Sequence, residues 1–352
     1  MKSIKKFVYI IITMSLSITV TGQNLFADRH TLPQDFMMTV NDRFPLTDRM
    51  KYVSGGSKDR HTTMKNINKY PVIMICGNRR TKEDWFGKNI GNAEKKNSDV
   101  YQMFLSNGFD ESELWTYSYV ANENDEMRNI EELTDSLRVF IYGILLYTGA
   151  TQVQILAHGE GGVLAFETIR KYNISNLVST MVFIGCPFHG SSIYNYYKAI
   201  QGYPVHANLA PGSDFLEEML FLTETPHIDK IDYVTIYSVN DEYYKNNNYS
   251  PILKGALNIA IDNLDHDGLR ASYESFKKYN VFFNKKTLKY NPEKDLDKDG
   301  FMDIKKGGND CDDKNDKIYT GAFEIEDDNI DQDCNFREKS SIGGKGCEVL
   351  IK

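Results

Sequence analysis

Apolar positions along the chain fall into two periods. YPVIMICG (residues 70–77), VQILAHG (153–159) and LVSTMVFIGCP (177–187) are nearly continuous apolar runs of the kind that strands buried on both faces require. ELWTYSYV (113–120), DYVTIYSV (232–239) and ALNIAIDNL (256–264) read as further strands. Between them, Ile130, Leu133, Leu137, Ile141, Ile144 and Leu145 recur at the spacing of one helical stripe, and GVLAFETIRKY (162–172) is a second amphipathic segment. Strands alternating with helices predict crossover connections and an α/β fold, a mostly parallel, doubly wound sheet with helices on both faces. Residues 23–69 are polar with few periodic signals and read as an extension wrapped around a core spanning 70–290. From Ser191 to Asp229 the alternation breaks into an aromatic, amphipathic insertion, YNYYKAIQGYP and LAPGSDFLEEMLFL. It either covers the mouth of a site or supplies ordinary surface helices.

The first residues do not belong to this pattern. Lys2, Lys5 and Lys6 precede an apolar run from Phe7 to Val20, then small residues suited to cleavage before Gln23. The run is short for a membrane span, so residues 1–22 read as a secretory signal peptide, the alternative being an uncleaved anchor. A secreted or periplasmic product follows, with no transmembrane segment after cleavage. Cys311 and Cys334 lie together in the acidic tail and are the natural disulfide pair in an oxidising compartment. Cys76 and Cys186 close apolar runs as small buried residues, and Cys347 is left over. The net charge of −8 is concentrated: residues 291–335 carry fifteen acidic against six basic side chains, and the rest of the chain is close to neutral. No basic surface for nucleic acid is implied.

Candidate chemistry centres on TQVQILAHGEGG (151–162). A buried strand runs through a tight turn of small residues into a helix, the layout of a nucleophile elbow, but the nucleophile position holds Gly159. HGEGG is not a dinucleotide loop, because Leu164 stands where the third glycine is needed, and no Gly-Lys-Ser/Thr follows for a P-loop.

YPVIMICG with Asn78, AHGEGG, IGCPFHGSS (184–192), SVNDEYY with Asp241, and LDHDGLR with His266 occur in an order that resembles the α/β-hydrolase fold, specifically bacterial lipases and lipase-like polyester depolymerases. The likeness runs from about Tyr70 to Arg270 and departs from the family at Cys76-Gly77, where His-Gly is usual, and at Gly159, where serine is. It implies Asp241 and His266 as the acid and base of a triad, and an oxyanion hole from the backbone around Gly77, Asn78 and Glu160. It makes Ser191 and Ser192 structural. The Glu160 side chain is expected to point away from the nucleophile's place. Gly159 can form no acyl-enzyme, so the chain reads as a silenced or very weak ester hydrolase that binds lipid or ester ligands. The alternative is an active lipase, carboxylesterase or polyester depolymerase working through a His266-activated water.

In the tail, DLDKDGFMD (295–303) places carboxylates at alternate positions before a turning glycine, as calcium requires. Asp295, Asp297, Asp299, Phe301, Asp303 and Asp310 are the candidate metal ligands, with Asp312 or Asp313 as alternative closing groups and Asp331 and Asp333 in a possible second site. Lys306 occupies the position where an EF-hand closes with glutamate. The span 291–352 resembles the aspartate-rich metal-binding repeat of secreted bacterial proteins, in which paired cysteines brace acidic loops.

Overall fold

The computed structural model describes residues 31–41, 52–122, 124, 125, 127, 129–285, 291–306, 308, 310–319, 322, 325, 328–332 and 334, and the backbone of 337–340 and 347–350. The signal-peptide reading of residues 1–22, the side chain of Cys347 and Asp333 lie outside the described residues. The elements in chain order are α1 (Phe36–Asn41), β1 (Val53–Gly55), α2 (Arg60–Asn66), β2 (Val72–Ile75), α3 (Val100–Ser106), β3 (Leu114–Tyr117), α4 (Ile130–Thr148), β4 (Val153–His158), α5 (Glu160–Lys171) and β5 (Val178–Ile184). Then come α6 (Ile193–Ile200), α7 (Pro204–Asn208), α8 (Asp214–Leu220), β6 (Asp232–Tyr237), β7 (Leu257–Ala260), α9 (His266–Ala271), α10 (Tyr273–Tyr279), β8 (Arg337–Ser340) and β9 (Cys347–Leu350).

The main sheet has the order β1-β3-β2-β4-β5-β6-β7, parallel throughout except where β1 runs antiparallel to β3. The strands β2, β3, β4 and β5 are buried at every position, which is why they read in the sequence as apolar runs rather than alternations. The single crossover that places β2 between β3 and β4 puts the ends of β2 and β4 side by side, with Ile75 opposite Ala157. That is the arrangement of the α/β-hydrolase fold, and ligand sites in open α/β sheets lie beyond such carboxyl ends.

Helix α4 starts at Asn129, whose side chain accepts the Glu131 N–H, and stops at Gly149, whose N–H returns to the Leu145 carbonyl. The apolar stripe understates its burial, because Val139, Phe140, Tyr142, Leu146 and Tyr147 on its other faces are buried too. Two segments cover them. Residues 31–66, expected only to wrap the core, contribute the edge strand β1 and Phe36, whose ring lies 5.1 Å from Tyr147 and 5.4 Å from Trp115. At the same C-terminal end of α4, Gly300 of the acidic module lies against Leu146, where a Cβ on the glycine would be 3.0 Å from Leu146 Cδ1. The Tyr147 hydroxyl donates to Asp35, so the long-range packing also satisfies a buried polar group.

Candidate active site and metal module

Strand β4 ends at His158, and the next residue, Gly159, has φ 55° and ψ −132° before α5 begins. The turn is held from two sides: the Gly159 N–H donates to the Ile184 carbonyl of β5, and its carbonyl accepts the Gly162 N–H. A Cβ at Gly161 would lie 2.3 Å from the Cys76 carbonyl oxygen, and one at Gly162 would lie 2.2 Å from Cys186 Sγ. The helix therefore sits against the sheet at a distance only glycine permits, which explains the small residues of AHGEGG.

The two later motifs converge on this turn. Asp241, just past β6, is 1% exposed, and its Oδ2 lies 2.7 Å from His266 Nδ1. The opposite edge of the imidazole faces the elbow, where a Cβ built on Gly159 would lie 3.3 Å from Nε2. Backbone contacts set this pose: Asp241 Oδ1 accepts the Tyr243 N–H, Glu242 accepts the His266 N–H, and Asp265 caps α9 by accepting the Gly268 N–H. Burial pushes the His266 imidazolium down. The Asp241 charge and hydrogen bond, with Asp267 and Glu160 adding, outweigh it and hold the pKa at about 9. His158 lies against it, the ring centroids 4.3 Å apart and the planes tilted by 36°, and burial with the neighbouring charge of His266 pushes its pKa well down. Arg80 grips Asp267 through two hydrogen bonds of 2.9 and 2.6 Å, tying the loop after β2 to α9.

Glu160 has partners that the sequence did not name. Its carboxylate folds back over the helix start, Oε2 accepting the Asn78 backbone N–H at 3.0 Å and Oε1 accepting the Tyr194 hydroxyl. The expected direction, away from the nucleophile's place, left its partners unspecified, and the structure supplies the Asn78 amide and a tyrosine from the insertion. Tyr194 lies in α6, so the insertion does reach the site. Its hydroxyl pKa is raised well above the ordinary value by burial and then by the Glu160 charge. The remaining space is a cavity of about 30 Å³ lined by Gly77, Asn78, Arg80, Glu160, Tyr243 and His266, among others. It has room for about one water and none for an acyl chain. A larger cavity of about 430 Å³ between α5 and α8, bordered by Phe166, Arg170, Met219 and Tyr233, shares no lining residue with it. Ser191 Oγ donates to the Tyr243 carbonyl and is committed to holding that loop. Sequence reasoning missed Tyr194, Tyr243, Tyr244 and Arg80. The tyrosine pair was visible beside Asp241 in SVNDEYY, but nothing in one dimension aims Tyr194 at the elbow.

In the acidic module, Asp295, Asp297 and Asp313 bring carboxylate oxygens within 4.8 Å of one another, and so do Asp297, Asp299 and Asp310. Asp295 is the hub of the turn, accepting the Lys298 and Gly300 N–H groups. Asp303 is not in either group: its Oδ1 accepts the Lys305 N–H and its Oδ2 lies 3.7 Å from Lys306 Nζ, while Asp313 takes the place expected of it. Phe301 donates its N–H to Asp299 and stacks its ring on Tyr319 at 5.1 Å. Asp297 Oδ2 and Asp310 Oδ2 are buried without a hydrogen-bond partner among the described residues. Burial pushes the Asp310 carboxyl up to about 7, with the charges of Asp297, Asp313 and Asp312 adding and the Asp312 N–H opposing. Converging buried oxygens of one sign fit a cation, and the donors are oxygen alone. Cys311 and Cys334 are joined as a disulfide, and Cys76 and Cys186 are free and buried.

The sheet order and the strand–turn–helix elbow are those of the α/β-hydrolase fold. Residues 69–250 match the lipase (class 2) family model, and the chain belongs to that family. The matched span includes Gly159 and Asp241 and stops short of His266. Residues 310–337 match a metal-binding motif, Cu-binding MopE. Among solved structures, the chain is similar to the mature lipase BlEst2 of Bacillus licheniformis, with 16% identity and a TM-score of 0.47 over 62% of this chain and 93% of that one. It is similar to phospholipase PlaB of Legionella pneumophila at 12% identity and a TM-score of 0.44, covering 58% and 54% of the two chains. For Aspergillus fumigatus lipase B the values are 13% and 0.42, over 57% and 49%. No described helix is long and apolar enough to cross a membrane.

Proposed function

We propose that this lipase-family protein is an exported, calcium-binding relative whose ester-hydrolysing chemistry is silent or very weak, and which engages lipid or ester ligands through the old cleft. The observation that carries the reading is the assembled Asp241–His266 pair facing an elbow whose residue is Gly159, with no hydroxyl to attack a carbonyl. The cavity of about 30 Å³ beside His266 favours the second reading, direct hydrolysis by a water held there. Against it stands the direction of the His266 shift: the Asp241 charge and hydrogen bond raise its proton affinity, which leaves less free imidazole near neutral pH to take a proton from that water. Entry of any ligand larger than water requires the insertion carrying Tyr194 to move aside.

Calcium is the metal we assign to the tail, through Asp295, Asp297, Asp299, Asp310 and Asp313, with the ion supplying charge compensation and a fold for the loop. Copper prefers imidazole and sulfur donors, and there is no histidine from 291 to 352. Export is supported by the N-terminal pattern and by the disulfide.

The test uses p-nitrophenyl butyrate and palmitate with the purified mature protein and with His266→Ala, alongside titration with a non-hydrolysable glyceryl ether. The expected result is turnover at the buffer rate for both proteins and saturable ether binding. Turnover by the unaltered protein that His266→Ala abolishes would establish the water route instead. Absence of ether binding would remove the ligand half of the proposal.

A further inference from the structure

Gly159 leaves the elbow without a hydroxyl, and the side chain of its neighbour, Glu160, reaches back to the loop after β2. Acyl transfer needs N–H groups that are free to receive the negative oxygen of the tetrahedral intermediate. At this site, the amide that comes from the loop after β2 is that of Asn78, and it already donates to Glu160 Oε2 at 3.0 Å. The same carboxylate accepts the Tyr194 hydroxyl through its other oxygen. Glu160 is the first residue of α5, a twelve-residue helix whose N-terminal dipole favours an anion there. Its Oε2 would lie 3.7 Å from a Cβ built on Gly77, so the charge sits in the bend of the loop that offers the amide. Asn78 is fixed in that pose by its own side chain, whose Oδ1 accepts the Met127 and Arg79 N–H groups.

We infer that Glu160 is a built-in occupant of the oxyanion pocket, its carboxylate standing where the substrate's developing oxyanion would go and Tyr194 of the insertion clamping it there. This rests on the silenced-hydrolase reading and adds to it: restoring the hydroxyl alone leaves the pocket both filled and negatively charged. Removing one donor from an oxyanion hole lowers kcat by about 10² to 10³, and here the donor is not only lost but replaced by a like charge.

The test compares Gly159→Ser with Gly159→Ser/Glu160→Gln and Gly159→Ser/Glu160→Ala, by p-nitrophenyl butyrate turnover and by intact-mass labelling with an alkyl fluorophosphonate. Glutamine keeps an oxygen on the Asn78 amide without the charge; alanine removes both. The expected order is serine alone near background, the glutamine double slightly above it, and the alanine double about 100-fold or more above serine alone. Equal rates for Gly159→Ser and the alanine double would overturn the role of Glu160 and leave the silenced-hydrolase reading standing. No turnover and no labelling in any of the three would overturn both. A second measurement does not depend on a restored serine: hydrogen exchange of the Asn78 amide is expected to be slow in the unaltered protein and at least 10-fold faster in Glu160→Ala, and unchanged exchange would overturn the inference.

Discussion

Replacement of Gly159 by alanine and by serine tests the elbow itself. The residue has φ 55° and ψ −132°, a backbone conformation that a side chain resists at a cost of about 1–3 kcal/mol. Space is a smaller matter, since an added Cβ would meet His266 Nε2 at 3.3 Å and Gly77 Cα at 3.6 Å, so the imidazole needs to give by only a few tenths of an ångström. Alanine therefore incurs the strain alone. Serine incurs the same strain but places an oxygen beside Nε2, where a hydrogen bond returns about 1 kcal/mol. The expected order of stability is glycine, then serine, then alanine. At about 2.1 cal/mol/K per residue, a chain of 352 residues has an unfolding entropy near 0.7 kcal/mol/K, so a 2 kcal/mol loss lowers Tm by about 3 °C. Urea unfolding followed by tryptophan fluorescence in calcium-containing buffer measures the free-energy differences directly. An alanine variant as stable as the unaltered protein would refute the strained elbow.

Three further outcomes are expected. His266 has a folded pKa of about 9 against an ordinary 6.5, so its contribution is complete below about pH 6.5 and disappears as pH rises through 9. The displacement corresponds to about 3 kcal/mol, and urea unfolding of His266→Gln should lack that part of the alkaline loss of stability. Chelation by EGTA should expose 291–352 to limited proteolysis while β2 to β7 stay protected, with calcium but not copper restoring resistance; unchanged cleavage would contradict the metal assignment. Replacing Cys311 and Cys334 by alanine opens a link across 23 residues, which loop closure values at about 3 kcal/mol. Calcium affinity measured by calorimetry should fall accordingly, because the unbraced loop must be ordered by the ion alone.

Much of the candidate site could be read without coordinates because its parts are local. A strand buried on both faces must be apolar at nearly every position, so β2, β4 and β5 announced themselves, and their ends carried the chemistry. The glycines at 161 and 162 were legible as a tight turn, though the contacts that demand them, with Cys76 and Cys186, come from strands far away in the chain. Residues 31–66 were underestimated because Phe36 and β1 are too short to show a period; they are placed by partners far along the chain, Tyr147 of α4 for Phe36 and β3 for β1. Asp303 and Asp313 exchanged roles for a similar reason. Alternation nominates carboxylates within one loop, but not how each is turned: Asp303 Oδ1 accepts the Lys305 N–H, while Lys306 Nζ bridges Asp313 at 3.0 Å and Asp303 at 3.7 Å.

By itself the sequence determined the layered α/β architecture, the elbow with its missing hydroxyl, the acid and base candidates in chain order, and the cysteine-braced acidic tail. The architecture and the tight turn are written in periodicity and local spacing; the acid and base candidates came from the resemblance of short motifs to the α/β-hydrolase family. Tertiary structure alone decided that His266 reaches Gly159, that Asp241 raises its proton affinity, and that Glu160 turns inward under Tyr194 onto the Asn78 amide. Those facts depend on side-chain direction and on segments meeting across the sheet, and hydrogen-bonding groups find their partners only once the fold has brought them within about 3 Å.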